Sequence, residues 1–290
     1  MNKKKLHRNF DGRCFANEQI YEQNDVSRQS HAQWLSRQGT KKLQDDVILN
    51  LVAEVRAKHP EMGGVKLYWK LEMEFEELMK GLGRDAFLVL LRVSGMLRSR
   101  HQWNPRTTNS RHRLRKYPNL ILGILAGYYG QILVADITYI RVGMGWMYLS
   151  LITDLYSRKI VGWALARRLS MDGPLEALQM ALKTLPAGPS FIHHSDRGSQ
   201  YCSKSYTDLV VEHGGQLSMT TDGNVYENAV AERVNGILKY EYHLKQRFTS
   251  MRVALEAIEE AIWLYNTDRP HMSLGRRTPE SVSLSGMMAA

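Results

Sequence analysis

The chain has 290 residues, of which 43% are hydrophobic, enough for the cores of about two domains. No apolar run approaches the ~18 residues that a membrane-spanning helix needs, and the basic N-terminus lacks the apolar segment of a secretory signal. The two cysteines, Cys14 and Cys202, lie far apart. Their spacing argues against a disulfide framework and a structural zinc site, and we expect a cytoplasmic protein.

The net charge of +10 is confined to the N-terminal part of the chain. Residues 1–120 carry 23 Lys and Arg against 13 Asp and Glu, whereas residues 121–290 carry 16 of each. This asymmetry indicates a nucleic-acid-binding arm joined to a domain with another task. A basic surface that only improves solubility is the alternative interpretation.

Residues 1–60 are predicted to form an N-terminal helical region with polar breaks, in which Ser27 is a candidate helix cap. Residues 61–101 are predicted to form two helices around Gly81-Leu82-Gly83, the second of them capped by Asp85. Helix, short glycine turn and helix are the plan of the helix-turn-helix, whose second helix usually enters the major groove of DNA.

Residues 102–128 are predicted to be a basic linker, and its run of cations begins just before it, at Arg98. Polar residues separate the cations, and Trp103 and Tyr117 are interspersed among them. Such a segment suits a flexible strap along DNA phosphates, with the aromatic rings available for stacking. A solvated linker without a ligand is the alternative. The predicted DNA-binding cations of this segment are Arg98, Arg100, Arg106, Arg111, Arg113, Arg115 and Lys116.

Residues 129–246 are predicted to form an α/β domain. Three β-rich runs, at 132–142, 147–154 and 159–166, precede a helix, a strand, a second helix, a strand and a long helix that begins near Asn228. This order resembles the ribonuclease-H-like fold, a mixed five-stranded sheet with helices on both faces. Residues 247–290 are predicted to hold a last amphipathic helix, at 252–265, and a polar tail.

Three acidic residues stand out in this domain. Asp136 interrupts an apolar strand, where an unpaired buried charge would cost several kcal/mol. Asp196 ends another apolar strand, at the place where open sheets bind ligands. Glu232 follows small residues on the long helix, which lets that helix approach the sheet closely. Taken singly, each acid is more often a salt-bridge partner or a surface residue, so the prediction rests on their combination.

Three carboxylates on two strands and a helix suit Mg²⁺ or Mn²⁺, which prefer oxygen ligands. Phosphodiester chemistry uses two such ions about 3.5–4 Å apart, and the protein then needs no nucleophile of its own. The sequence agrees, because it has no Ser or Cys with a convincing His partner and no glycine-rich phosphate loop. Positions 136 and 196 are 60 apart, and 35 residues separate Asp196 from Glu232.

That spacing and its flanking motifs resemble the DDE transposases of bacterial insertion sequences, and among them the OrfB type of the insertion-sequence-three group, which has a retroviral-integrase-like catalytic core. The resemblance covers about residues 60–285. The motifs that carry it are Asp136-Ile137-Thr138-Tyr139-Ile140, residues 153–163, His194-Ser195-Asp196-Arg197-Gly198, Asn228-Ala229-Val230-Ala231-Glu232, Tyr265-Asn266-Thr267-Asp268-Arg269-Pro270-His271 and Thr278-Pro279-Glu280.

The resemblance implies an enzyme that binds the terminal inverted repeats of an insertion sequence, cuts at the 3′ ends and transfers the freed strands to new DNA. It further implies two Mg²⁺ ions as cofactors, for which Mn²⁺ can substitute, with Asp136, Asp196 and Glu232 as catalytic residues and metal ligands. The implied partners are double-stranded DNA, further copies of the chain on paired ends, and an upstream-frame protein, OrfA, as a separate partner or a fusion. The implied location is the bacterial cytoplasm, in association with the nucleoid.

Other hypotheses remain open from the sequence. One is a catalytically silent DNA-binding regulator or domesticated transposase, against which the intact set of three acids speaks. Another is a plain nuclease of the same fold, which the basic N-terminal arm disfavours. Two positions depart from the family pattern, since Leu133 stands where Trp is usual and Glu227 where Asp is usual.

Several further residues have predicted supporting roles. Lys239 shares a helix face with Glu232 and is predicted to hold a phosphate near the cut. His194 is a candidate DNA contact at the scissile phosphate, with the orientation of Asp196 as its preferred role. Asn228 is predicted to cap the helix that bears Glu232. Asp154 is a rival metal ligand, with a structural role as its preferred interpretation. Tyr265, Arg269 and His271 belong to the C-terminal motif without an assigned mechanism.

Overall fold

A computed structural model describes residues 6–8, 14–16, 27–98, 114–186, 190–221 and 228–288. In these ranges no helix is long and apolar enough to cross a membrane. Leu6–Arg8 (β1) and Cys14–Ala16 (β2) pair as a short antiparallel hairpin, where the sequence predicted helix. The bounds predicted for the domains stay a prediction.

The helical region begins with Arg28–Lys58 (α1), which Ser27 caps as predicted by accepting a hydrogen bond from the Ser30 amide at 3.0 Å. Gly64–Glu74 (α2), Glu76–Met79 (α3) and Arg84–Val93 (α4) follow. The predicted first helix of the pair is therefore interrupted at Phe75. The predicted cap was wrong, because Gly83 occupies the N-cap of α4 and Asp85 lies in its first turn.

One apolar core holds the helical region together. Apolar side chains of α1, α2 and α4, among them Ile48, Leu67 and Leu91, are fully buried in a single cluster. Phe87 of α4 belongs to this cluster and meets the ring of Tyr68 edge-on at 5.7 Å. The apolar character of α4 is thus largely explained by packing within the region.

The second part of the chain is built on a mixed sheet. Its strands are Ile132–Val142 (β3), Gly145–Asp154 (β4), Ile160–Ala166 (β5), Ile192–Ser195 (β6), Gln216–Met219 (β7) and Arg247–Phe248 (β8). The order is β5-β4-β3-β6-β7, with β3 to β5 antiparallel and β6 and β7 parallel to β3. This confirms the predicted fold class and five-stranded sheet, and β8 adds a sixth strand, parallel to the end of β3.

Helices cover both faces of this sheet. Asp172–Leu182 (α5) and Lys204–Glu212 (α6) pack on one face, and Ala229–Glu241 (α7) and Met251–Thr267 (α8) on the other. Contact between β5 and α5 is close at Gly162, where a Cβ atom would lie 2.0 Å from the carbonyl oxygen of Ala177. The absence of a side chain at Gly162 therefore lets α5 lie directly on the sheet.

The chain beyond residue 267 is more ordered than the sequence predicted. A 3-10 turn at Met272–Leu274 leads into a further helix, Pro279–Met288 (α9). The prediction of a polar tail was wrong here. The error is understandable because the sequence of α9 has almost no amphipathic periodicity, yet Val282 and Ser283 are buried.

Candidate active site

Asp136 lies in the middle of β3, the central strand of the sheet. One of its carboxylate oxygens accepts a hydrogen bond from its neighbouring amide, Ile137 N, at 2.9 Å. The other accepts one from the side-chain amide of Asn235 on α7, at 2.6 Å. The carboxylate is thus held, partly buried, between β3 and α7.

Asp196 follows the last residue of β6, which runs parallel to β3. Its Oδ1 atom accepts a hydrogen bond from the amide of Gly198 at 2.9 Å, which stabilises the turn that leaves the strand. Arg197 fixes the same turn from the other side by donating to the carbonyl oxygen of Thr220 at 2.7 Å. Asp196 therefore occupies the strand-end position that the sequence predicted.

Glu232 lies in the first turn of α7 and is half-buried. Asn235 is three residues further along the helix and so lies on the same face as Glu232. The sequence interpretation missed Asn235, although a polar residue at this spacing from a candidate ligand was a usable signal. Lys239, four residues beyond Asn235, continues this face and is also half-buried.

The three acids influence one another electrostatically. Burial, then the charge of Asp196 and to a lesser degree that of Glu232, raises the pKa of Asp136 to about 7, although hydrogen bonds from Asn235 and Ile137 oppose this. Burial and the charge of Asp196 also raise the pKa of Glu232. The three predicted residues therefore lie within electrostatic range of one another, and their negative charges repel each other.

Asn228 occupies the N-cap position of α7, as predicted, but its side chain makes no capping hydrogen bond. Its side-chain amide instead donates to the carbonyl oxygen of Ala135 at 3.0 Å. That bond ties the start of α7 to the residue before Asp136. It therefore sets the distance between the helix that carries Glu232 and the strand that carries Asp136.

Among the described residues, no three carboxylate, His or Cys side chains are gathered closely enough to hold a metal ion as they stand. The chemistry of the donors nevertheless fits a hard divalent cation, because all three acids supply oxygen atoms. Within the described part of the chain, the side-chain oxygens of Asn228 and Asn235 are also buried without a hydrogen-bond partner. A cation would satisfy carboxylates that otherwise repel each other.

His194 does not fit a direct contact with DNA. Its side chain is completely buried on β6, and its Nδ1 atom is hydrogen-bonded to the hydroxyl of Ser218 on β7 at 2.8 Å. Because the ring lies inside the sheet, its place is structural, two residues before Asp196. Its neighbour His193 is likewise buried and hydrogen-bonded to the hydroxyl of Tyr206 at 2.7 Å.

The predicted DNA-binding cations fall into three groups. Arg98 is half-exposed and pairs with Glu61 at 3.3 Å. Arg115 and Lys116 are exposed, and the guanidinium of Arg115 lies 5.1 Å from the ring centre of Tyr117. Arg100, Arg106, Arg111 and Arg113 lie outside the described residues, as does Trp103.

Lys116 and Asp196 both act electrostatically on the buried residue Cys202. Burial and the charge of Asp196 raise the pKa of the Cys202 thiol, and the charges of Lys116 and Arg197 partly oppose this increase. Cys202 therefore lies within electrostatic range of both Asp196 and Lys116. The following residues run along β7, where Leu120 N donates to the hydroxyl of Ser218 at 2.8 Å.

Asp154, the rival metal ligand, is fully buried at the end of β4. It accepts hydrogen bonds from the Ser157 amide and hydroxyl, at 2.7 and 2.6 Å, and from the Gly130 amide at 2.9 Å. With these three donors it stabilises the turn between β4 and β5. Its role is structural.

Sequence comparisons identify the family. Two profiles, both described as integrase core domain, match residues 129–225 and 213–279. A protein of insertion element IS600 from Shigella sonnei is 36% identical over 88% of this chain and 93% of its own length. The transposase for insertion sequence element IS629, also from Shigella sonnei, is 30% identical over 81% of this chain and 78% of its own. The chain belongs to the transposases of the insertion-sequence-three group.

Shorter and weaker likenesses are of the same kind. Transposase InsF of IS3A from Escherichia coli is 36% identical over 50% of this transposase and 51% of its own chain. A structural match to the HTLV-2 integrase catalytic core domain in complex with magnesium covers 55% of this transposase and 99% of the integrase chain, at 16% identity and a TM-score of 0.43. A structural match to a chain of the simian T-cell lymphotropic virus intasome covers 74% of this transposase and 74% of that chain, at 20% identity and a TM-score of 0.47.

The C-terminal motif of the transposase forms a buried ionic cluster at the C-terminal end of α7. Arg269, only 2% exposed, donates two hydrogen bonds to Glu241 at the end of α7, at 2.8 and 2.9 Å, and a third bond joins it to His271 at 3.0 Å. The hydroxyl of Tyr265 donates to the carbonyl oxygen of Arg158 at 3.0 Å. These contacts join α7, α8 and the turn after β4.

The same cluster holds the helical region against the catalytic domain. Lys66 of α2 pairs with Glu241 at 2.9 Å, and Lys70 pairs with Asp268. His59, which follows α1, bridges Asp268 at 2.7 Å and the hydroxyl of Tyr242 at 2.9 Å. The motif that had no mechanism in the sequence is therefore a connection between the two parts of the transposase.

Proposed function

We propose that this transposase binds the terminal inverted repeats of its insertion sequence, cuts the DNA at the element's 3′ ends and joins the freed 3′-hydroxyls to new DNA. Asp136, Asp196 and Glu232 are the proposed catalytic ligands of two Mg²⁺ ions, for which Mn²⁺ can substitute. The placement of the three acids carries the proposal. Asp136 and Asp196 each follow by two residues the last paired positions of the parallel strands β3 and β6, Val134 and His194. The helix α7, which bears Glu232, is hydrogen-bonded to Asp136 through Asn235.

Held by these three acids, such a pair of ions would make a water or the DNA's own 3′-hydroxyl a better nucleophile and would stabilise negative charge on the leaving oxygen. The chain's own residues give this site its shape. Asn235 holds one oxygen of Asp136, and the Gly198 amide holds one oxygen of Asp196. Asn228 keeps α7 against β3, so that Glu232 stays near the two aspartates.

Cationic residues would hold the DNA around this site. Lys239, on the face of α7 that bears Glu232, is proposed to contact a phosphate next to the cut. Arg115 and Lys116 are exposed and would contact the backbone at the side of Asp196. Two cut ends need two catalytic sites, so we propose that copies of the transposase act together on paired ends, with an upstream-frame OrfA protein as partner or fusion.

The test uses duplex DNA that carries the element's labelled inverted repeat, with Mg²⁺, and compares the unchanged protein with Asp196→Asn. We expect strand cleavage to fall by at least about 100-fold, because even residues around a metal ligand cost about 10- to 100-fold when they are removed. Asp208→Asn is the matched control, since Asp208 is an exposed residue of α6. It should leave cleavage unchanged.

Each outcome decides between functions. Cleavage that survives Asp196→Asn at the control's rate contradicts the metal-dependent mechanism. Repeat-specific binding without any cleavage by the unchanged protein, even after the upstream-frame protein is added, indicates a catalytically silent regulator instead. Cleavage of DNA that lacks the repeats at an equal rate indicates a plain nuclease.

A further inference from the structure

The hairpin of β3 and β4 extends beyond the acids. Its outer part, residues 139–149, contains two cross-strand pairs, Tyr139 with Tyr148 and Arg141 with Trp146. Directly paired residues project from the same face of a sheet, so these four side chains form one surface. We call it the hairpin surface.

The aromatic rings of the hairpin surface are open to contact. Tyr139 is 37% exposed and Trp146 is 45% exposed. Tyr139 meets Tyr148 edge-on at 5.3 Å and Trp146 at 6.2 Å, and the guanidinium of Arg141 lies 4.9 Å from the ring centre of Trp146. Aromatic rings interleaved with arginine are a common means of binding nucleic acid.

The charge around this surface has one sign. Residues 139–149, 164–171 and 242–249 meet here through the pairing of β3 with β4 and β8 and of β4 with β5. These three segments contain five Lys and Arg residues and no Asp or Glu. The segments thus hold five of the 16 cations of residues 121–290, a part of the chain that is neutral as a whole.

One pair of these cations is placed unfavourably for an isolated protein. Arg141 on β3 and Arg247 on β8 are direct register partners, and both are exposed. Like charges opposite one another on neighbouring strands destabilise a sheet. None of the ion pairs among the described residues includes either arginine. A phosphate between the two guanidinium groups would neutralise them.

The position of the surface relates it to the acids. Tyr139 and Arg141 are three and five residues beyond Asp136, which corresponds to about 10 and about 17 Å along a strand. The odd-numbered residues project from the face opposite to Asp136, so they do not line the acidic site. A distance of about 17 Å equals about five base pairs of DNA, so one duplex could reach both places.

The composition of the hairpin surface indicates what kind of DNA it takes. Residues 139–149 include no Asn or Gln, the amide side chains that read adenine edges, and no Ser or Thr. Arginine and aromatic contacts to phosphate, sugar and unstacked bases do not depend on a defined sequence. Inverted repeats must be read, whereas the DNA that receives the transferred strand need not be.

We propose that the hairpin surface binds the recipient DNA, the segment to which the freed 3′-hydroxyl is joined. This inference rests on the proposed function, because only strand transfer requires a second DNA segment. Arg141 and Arg247 hold a phosphate of the recipient backbone, and Trp146 and Tyr139 pack against its sugars and bases.

The first test measures binding and does not depend on activity. The double variant Arg141→Ala/Arg247→Ala is titrated with random-sequence duplex DNA over a range of salt concentrations. Because the two arginines share one phosphate, the loss of this contact should make the slope of log affinity against log salt shallower by about one. Arg141→Lys/Arg247→Lys should retain the slope. Lys183→Ala, at the far end of α5, is the control and should not change it. An unchanged slope in the double alanine variant overturns the proposal.

The second test separates the two reaction steps. Trp146→Ala and the double arginine variant are given labelled inverted-repeat ends with Mg²⁺, and cutting and joining to a plasmid are measured separately. We expect joining to fall by at least about 10-fold, as for the loss of one stacking contact or charge pair, while cutting is unchanged. Trp263→Ala removes a more exposed tryptophan ring, on α8, and should affect neither step.

The outcomes distinguish this inference from the proposed function. Equal losses of cutting and joining in the variants overturn the assignment to recipient DNA, as does joining at the unchanged rate. If the unchanged protein neither cuts nor joins, the proposed function fails, and the salt titration still decides whether the hairpin surface binds DNA.

Discussion

Glu241, at the C-terminal end of α7, binds two cations that come from different parts of the transposase. Arg269 follows α8 and is almost completely buried, and Lys66 lies in the helical region. The substitution Glu241→Gln removes one negative charge and preserves the shape of the side chain. Both cations then remain in their buried positions with a weaker, neutral acceptor.

The magnitude follows from the pKa of Glu241. Burial by itself raises this pKa, but the charges and hydrogen bonds of Arg269 and Lys66 outweigh burial and lower it from 4.5 to about 2. Such a decrease corresponds to about 3 kcal/mol of stabilisation by the ionised form. Removal of one partner of a buried ion pair typically costs about 3–5 kcal/mol. We therefore expect Glu241→Gln to lower the free energy of unfolding by about 3 kcal/mol at pH 7.

The measurement is equilibrium unfolding in urea at pH 7, with Glu256→Gln as the matched control. Glu256 pairs with Arg252 on the exposed face of α8, at 3.4 Å, so its loss should cost less than about 0.5 kcal/mol. A carboxylate whose pKa is lower in the folded than in the unfolded protein stabilises the fold fully at any pH above its unfolded-state pKa. This stabilisation is lost as the pH falls towards the folded-state pKa. The unchanged protein should therefore lose the Glu241 contribution between pH 4.5 and about 2, and Glu241→Gln should lack this decrease. A cost below 1 kcal/mol at pH 7, or equal acid sensitivity of the two proteins, would refute this reasoning about the buried cluster.

Three further predictions concern stability. Asp136→Asn should abolish cleavage. It should also raise the free energy of unfolding of the metal-free protein at pH 8 by up to about 4 kcal/mol, because a pKa of about 7 means that ionised Asp136 destabilises the fold. Urea unfolding without added metal tests this, and no gain in stability would contradict it. Gly162→Ala should lower the free energy of unfolding by at least about 1–3 kcal/mol, because the added Cβ atom would collide with the Ala177 carbonyl. Gly236→Ala, in open space on α7, should instead raise it by about 0.5–1 kcal/mol. Equal changes in melting temperature would count against this packing. Asp268→Asn should weaken the contact that His59 and Lys70 of the helical region make with residue 268. We expect faster proteolysis between α1 and α2 as a result. Proteolysis at the unchanged rate would argue that these pairs do not hold the region in place.

Much of the fold was accessible from the sequence because its signals are local. The β-rich runs predicted β3 to β5 to within two residues, and Ser27 identified the start of α1. The errors occurred where contacts far along the chain decide the local structure. The helix α9 has no periodicity of its own, and β8 is two residues that become a strand only by pairing with β3.

The candidate site shows the same division. Motif and spacing selected Asp136, Asp196 and Glu232, and the structure places them within electrostatic range of one another. The spacing of Asn235 from Glu232 was a signal that the two share a helix face, but only the fold shows that this face meets Asp136 in the middle of β3. Of the two roles considered for His194, contact with the scissile phosphate does not fit, because the pairing of β6 between β3 and β7 buries the side chain.

The sequence by itself determined the family and the fold class and selected the three candidate acids, because each is carried by residue types at fixed separations along the chain. It also located the net positive charge before residue 121, since charge can be counted without a structure. Only the tertiary structure decided which residues surround the acids and how the C-terminal motif is used. It also gathered cations of the neutral part of the chain at one end of the sheet. Pairing and packing bring together residues that are more than 100 positions apart, such as Arg141 and Arg247, and no local pattern records those contacts.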